Sequence, residues 1–172
     1  PVVLPDDFKG LKTRAPETKT VMDTIAALGG NPVPMVFGEV YTALQQGIID
    51  GQENPLSIIW ASRLYEVQKY LSLTGHVYSP VVIMISDAFY NSLPEDLQKI
   101  VVEAFEEVRP VARKMVEDQE TELVEQLREK GMEVNTVEPE AFQAKMGGVY
   151  DDFVKNVGKE AQEFIDRIKE VR

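Results

Sequence analysis

Between Leu93 and Lys130 apolar residues recur at helical spacing, at Leu97, Val101, Ala104, Phe105, Val108, Val111, Ala112, Met115, Leu123 and Leu127, while the intervening positions are mostly charged. That spacing places the apolar set along one face of an α-helix. Taken as one element it would reach about 55 Å at 1.5 Å per residue. This is longer than a compact lobe needs, so the helix is expected to run as a backbone between lobes. Pro110 has no N–H to donate and is expected to bend the helix without breaking it; two ordinary helices separated near Pro110 are the competing expectation. Pro94 suits the first turn, Glu95 and Asp96 favour the helix N-terminus, and Ser92 or Leu93 serves as cap.

Short strands alternate with helices before this segment. Leu11 to Ala15 read as a strand stopped by Pro16. Thr18 to Leu28 carry Val21, Met22, Ile25 and Leu28 on one helical face, closed by Gly29-Gly30. Val33 to Phe37 are extended, Gly38 to Gln46 form a second amphipathic helix with Gly47 as its C-cap, and Ile48 to Gly51 lead into the next strand or turn. Tyr70 to Leu73 read as a strand, and Val77 to Ile85 are expected to form a centrally buried one. After Gly131, Met132 to Val137 form a strand, and two helical stretches surround an interruption at Gly147-Gly148. The pattern predicts an α/β fold with open, mostly parallel sheets. Its expected parts are residues 1–75, a portion of a ligand-binding lobe; 76–130, a crossover strand with the long helix; and 131–172, a strand and helices completing the lobes.

The chain carries 29 acidic against 18 basic residues, a formal net charge of −11. Such a field repels nucleic acid phosphates and anionic lipid surfaces, so nucleic acid is not an expected partner. No apolar run approaches the ~18 residues of a membrane span. There is no cysteine, which leaves the compartment open, and His76 is the sole histidine, too little for a zinc cluster or a nucleophile's base. Neither a phosphate loop nor a dinucleotide fingerprint occurs. No cofactor, no metal and no catalytic set are expected.

In so acidic a chain an arginine near a cleft is informative. Arg14 offers a planar fork suited to both oxygens of one carboxylate, and it lies at a strand end, where open α/β sheets place their crevices. A surface arginine paired with Glu17 or Asp7 is the plainer alternative. Asn54 supplies a donor and an acceptor without charge, or belongs to an ordinary turn with Pro55. Phe37, read by itself, can simply fill a core. Glu39 is read as supporting the site through a hydrogen bond, because a carboxylate beside an anion is unfavourable; an acidic residue in a first helical turn explains it equally. Gln52 and Tyr65 are weaker polar candidates for the cleft.

The segments Gly10-Leu11-Lys12-Thr13-Arg14, NPVPMVFGEVYTALQQGIIDGQENP (Asn31 to Pro55) and EVQKYLSLTGH (Glu66 to His76) resemble the DctP-like solute-binding proteins of tripartite ATP-independent periplasmic (TRAP) transporters. The resemblance implies a periplasmic-binding-protein-like, two-lobe architecture, here incomplete, since complete members carry a further N-terminal segment. It implies periplasmic capture of a small organic acid anion, without enzymatic activity, and delivery to a TRAP membrane permease. It assigns the carboxylate clamp to Arg14, the facing amide to Asn54 and the packing surface to Phe37. The runner-up function is a helix-mediated homo-oligomeric interaction module, with self-association through surface that the missing segment would leave exposed.

Overall fold

The computed structural model describes residues 1–170. Its N-terminal half is built on a parallel three-stranded sheet. β1 (Lys12–Ala15) is central, flanked by β2 (Asn31–Pro34) and β3 (Gly51–Gln52). α1 (Lys19–Ala27) carries the chain from β1 to β2, and α2 (Val40–Gln45), preceded by a 3-10 turn at Phe37–Glu39, carries it back past β1 to β3. Gly29 and Gly47, at φ 95° and 68°, end these helices in the left-handed conformation that glycine adopts without steric penalty. Asp50 fixes β3 against β1: its backbone N–H donates to the Lys12 carbonyl and its carboxylate accepts from the Lys12 N–H, each at 2.8 Å.

α3 (Leu56–Ala61) then leads to β4 (Tyr70–Leu73), which pairs in parallel with β5 (Glu133–Thr136) in a separate two-stranded sheet. Between these two strands run α4 (Asp87–Ser92) and α5 (Glu95–Glu129). α5 is one helix of 35 residues with Pro110 inside it, about 52 Å long, so the expectation of a loop at Pro110 is excluded. Pro94 occupies the cap position itself, one or two residues later than read from the pattern. α6 (Pro139–Gln143), α7 (Gly147–Val157) and α8 (Lys159–Glu170) close the chain, α7 packing on α1. Gly147 and Gly148 begin α7 instead of interrupting a helix; the break falls at Gly158, whose φ is 114°.

The main core joins Val40 and Leu44 of α2, Ile59 of α3, Leu71 of β4, Leu127 of α5 and Met132. Each fully buried aliphatic side chain contributes about 1.5–3 kcal/mol relative to exposure. A second cluster sets Phe8 edge-on to Phe142, with Leu28 beside them. The N-terminal strap is tied to the second sheet by a closed ring of hydrogen bonds. Val2 N–H donates to Ser72 Oγ (3.0 Å), Ser72 Oγ donates to Asn135 Oδ1 (2.9 Å), and Asn135 Nδ2 donates to the Val2 carbonyl (2.8 Å).

The strand expected at Val77 to Ile85 does not form. These residues make no ladder, and Val81 and Met84 are 90% and 85% exposed. A continuous apolar run becomes a strand only when neighbours satisfy both its edges, and the described residues place no strand beside it.

Candidate functional site

The strand order β2-β1-β3 makes the carboxyl end of β1 a switch point: the chain leaves β1 toward one neighbour, while the other neighbour is reached only through α2. Crevices at such points are where open α/β sheets hold ligands. The register places Arg14 opposite Gln52 on one side and opposite Val33 on the other. The segment Gln52–Asn54 and the turn Met35–Phe37 therefore converge on Arg14 because of the ladder itself.

Arg14 is 6% exposed, yet none of the ion pairs among the described residues includes it. Its Nε donates to the Met35 carbonyl at 3.0 Å, and its guanidinium carbon lies 5.7 Å from the centre of the Phe37 ring. No fully enclosed side-chain nitrogen lacks a partner among the described residues, so the two terminal nitrogens of the fork, which make no hydrogen bond there, are not sealed from solvent. Asp7, a partner considered for Arg14, is engaged elsewhere: its Oδ2 accepts from the Val3 and Leu4 N–H groups, which hold its pKa below the ordinary value. A buried cation with an open fork and no carboxylate in ion-pair contact is chemically prepared for an anion.

Asn54 Nδ2 donates to Gln52 Oε1 at 2.6 Å, so the two amides act as a unit beside the strand end. Phe37 is 41% exposed and is not a core residue. Glu53, between Gln52 and Asn54, escaped the sequence reading, which set carboxylates aside near an anion. Its burial pushes its pKa up from the ordinary carboxylate value, and Arg14 opposes that rise. In turn, burial pulls the Arg14 guanidinium down and Glu53 supports its charge. The signal for Glu53 was its place in the DGQENP turn at the end of β3.

Two candidates go elsewhere. Tyr65 is drawn into the core wall, its ring 5.4 Å from that of Trp60 and 5.9 Å from Lys130 Nζ, where aromatic packing outweighs any polar role. Glu39 is exposed at the cap of α2 and makes no side-chain capping bond, an arrangement that fits the helix-terminus explanation better than a supporting contact. His76 takes a local role, its Nδ1 at 2.6 Å from Thr74 Oγ1, and burial lowers its pKa. No group of three or more metal-binding side chains occurs among the described residues, and no helix there is long and apolar enough to cross a membrane.

Residues 1–156 match the model of the DctP family, the bacterial extracellular solute-binding proteins of family 7. Over 173 residues the chain is 37% identical to the 2,3-diketo-L-gulonate-binding periplasmic protein YiaO of Escherichia coli K12, covering 98% of this chain and 53% of that one. It is similar to the crystal structure of a TRAP periplasmic solute-binding protein from a Polaromonas species bound to D-erythronate, with TM-score 0.85 and 42% identity over 94% of this chain and 54% of the other. It also resembles the ectoine-binding protein of the TRAP transporter of Halomonas elongata, with TM-score 0.90 and 31% identity over 99% and 57%. The chain thus spans about half the length of these relatives. It belongs to the extracellular solute-binding protein family 7.

Proposed function

We propose that this chain, as a member of that family, supplies the anion-clamping part of a periplasmic binding protein that captures a small organic acid and hands it to a TRAP-type membrane permease. The observation that carries this reading is the buried Arg14 with its terminal nitrogens open and no carboxylate in ion-pair contact. In this role Arg14 chelates both oxygens of the ligand carboxylate. The Gln52–Asn54 amide pair orients the group, and Phe37 covers the organic part while holding the guanidinium plane. Residues 1–75 then form most of one lobe, and α5 spans from it toward the other. The relatives that bind D-erythronate and 2,3-diketo-L-gulonate support an organic acid as the cargo class.

The test is titration of the chain, and of its Arg14→Ala variant, with D-erythronate, 2,3-diketo-L-gulonate and neutral sugars of matching size. Loss of a buried charge partner costs about 2–4 kcal/mol, a factor of about 30 to 700 in Kd. Selective binding of an acid that the variant loses supports the reading. An acid bound equally well by a folded Arg14→Ala protein sinks it.

A further inference from the structure

The amides beside Arg14 have hydrogen-bonding capacity that their mutual contact does not use. Each side-chain amide carries two N–H donors and one carbonyl oxygen. One donor and one oxygen are spent where Asn54 Nδ2 meets Gln52 Oε1 at 2.6 Å. The Asn54 Oδ1 acceptor and the Gln52 Nε2 donors make no hydrogen bond among the described residues, and neither atom is fully enclosed. Reversing both amides would put the free oxygen on Gln52 and the free N–H groups on Asn54. A donor and an acceptor thus remain side by side in either orientation.

Position decides what can use them. Gln52 stands opposite Arg14 in the ladder, one strand spacing of about 4.8 Å away. A carboxylate held on the guanidinium fork therefore brings the substituent on its C2 carbon to the amide pair. A hydroxyl there donates to the free carbonyl oxygen and accepts from the free N–H, so one group satisfies both amides. A keto oxygen only accepts, an ammonium only donates, and a methylene does neither. Each of these leaves an amide group unpaired once the ligand has displaced water, and an unpaired polar group is the costly case.

We infer that Gln52 and Asn54 are specificity-determining residues that select 2-hydroxy acids from among the organic acids the clamp can hold. This selection presupposes the anion site at Arg14 and narrows its cargo class. Arg14 alone reads the carboxylate and treats the different C2 groups alike.

Titration of the chain followed by NMR reads affinity and place together, through the side-chain amide signals of Gln52 and Asn54. The probes are D-erythronate and its counterparts carrying hydrogen, a keto oxygen or an ammonium group at C2 in place of the hydroxyl. D-Erythronate should bind at least about tenfold more tightly than each counterpart and shift both amide signals. Asn54→Leu and Gln52→Met, which keep the side-chain shape, should each shrink that preference to about threefold or less. Equal affinities for all the probes, lost together in Arg14→Ala, would overturn the hydroxyl selection and leave the anion site standing. A preference for D-erythronate that survives undiminished in both amide variants would also overturn it. Binding of none of the probes, or equal binding by a folded Arg14→Ala protein, would remove the anion site and the selection with it.

Discussion

Arg14 and Gln52 stand directly opposite one another in the parallel register of β1 and β3. The guanidinium and the amide pair led by Gln52 are therefore held by a backbone ladder, so the proposed clamp has its geometry without a ligand. A preformed fork loses little side-chain freedom on binding, so its geometry should matter as much as its charge.

Arg14→Lys separates those two contributions. The charge survives, but a single ammonium cannot bond both carboxylate oxygens, nor keep the Met35 carbonyl contact in the same plane. Affinity for a cognate organic acid should fall by about tenfold or more, about 1.4 kcal/mol. Calorimetric titration reads this; unchanged affinity would mean that charge alone makes the site.

Phe37→Ala should weaken binding by a few-fold, about 0.5–1 kcal/mol for an exposed cation–π contact, with little effect on the melting temperature because the ring is 41% exposed. A large drop in melting temperature would make it a structural residue.

Glu53 predicts a pH dependence. Its folded pKa is raised by burial above its ordinary 4.5, so in the window above that value the folded protein binds more protons than the unfolded one. By linkage, this group's contribution to stability declines as pH rises through the window. Glu53→Gln should remove that decline, read as melting temperature against pH. A carboxylate on Arg14 cancels the charge that opposes the rise, so ligand binding should draw a proton onto Glu53. Titration in buffers of different ionisation heat detects the uptake near the acidic end of the window.

Leu127→Ala and Val108→Ala test how α5 is anchored. Leu127 is fully buried in the core and its truncation should cost about 2–5 kcal/mol, whereas Val108 is exposed and should stay within about 0.5 kcal/mol. Chemical denaturation of both variants checks the contrast; comparable losses would mean that the exposed stretch of α5 is packed in solution.

Local chemistry made much of this fold legible. β1, α1, α2, β4, α5 and β5 follow from periodicity and from glycines that end helices. α3 was not apparent because Leu56–Ala61, LSIIWA, is too short and too uniformly apolar to show a period. Val81–Ile85 misled for a different reason: hydrophobicity signals that a strand can be buried, but pairing is supplied by other strands. At the site, Arg14, Phe37, Gln52 and Asn54 come together, since strand ends and turn chemistry bring them near one another. The place of Tyr65 was not legible because its packing on Trp60 is a tertiary contact with no local signature. Glu53 was overlooked because two like charges were judged only by their repulsion, without the cation between them.

The parallel pairing of β4 with β5 also sets a timetable. The three described strands of sheet β2-β1-β3 have all been made once Gln52 has, but β4 has to wait for β5 on the order of 60 residues later, on the far side of α5. At roughly 5–20 residues per second that delay is about 3–12 s. During this interval the apolar run at Val81–Ile85 has already emerged, next to an unpaired β4. The long helix is thus a clock as well as a spacer, since its length sets how long β4 waits for β5.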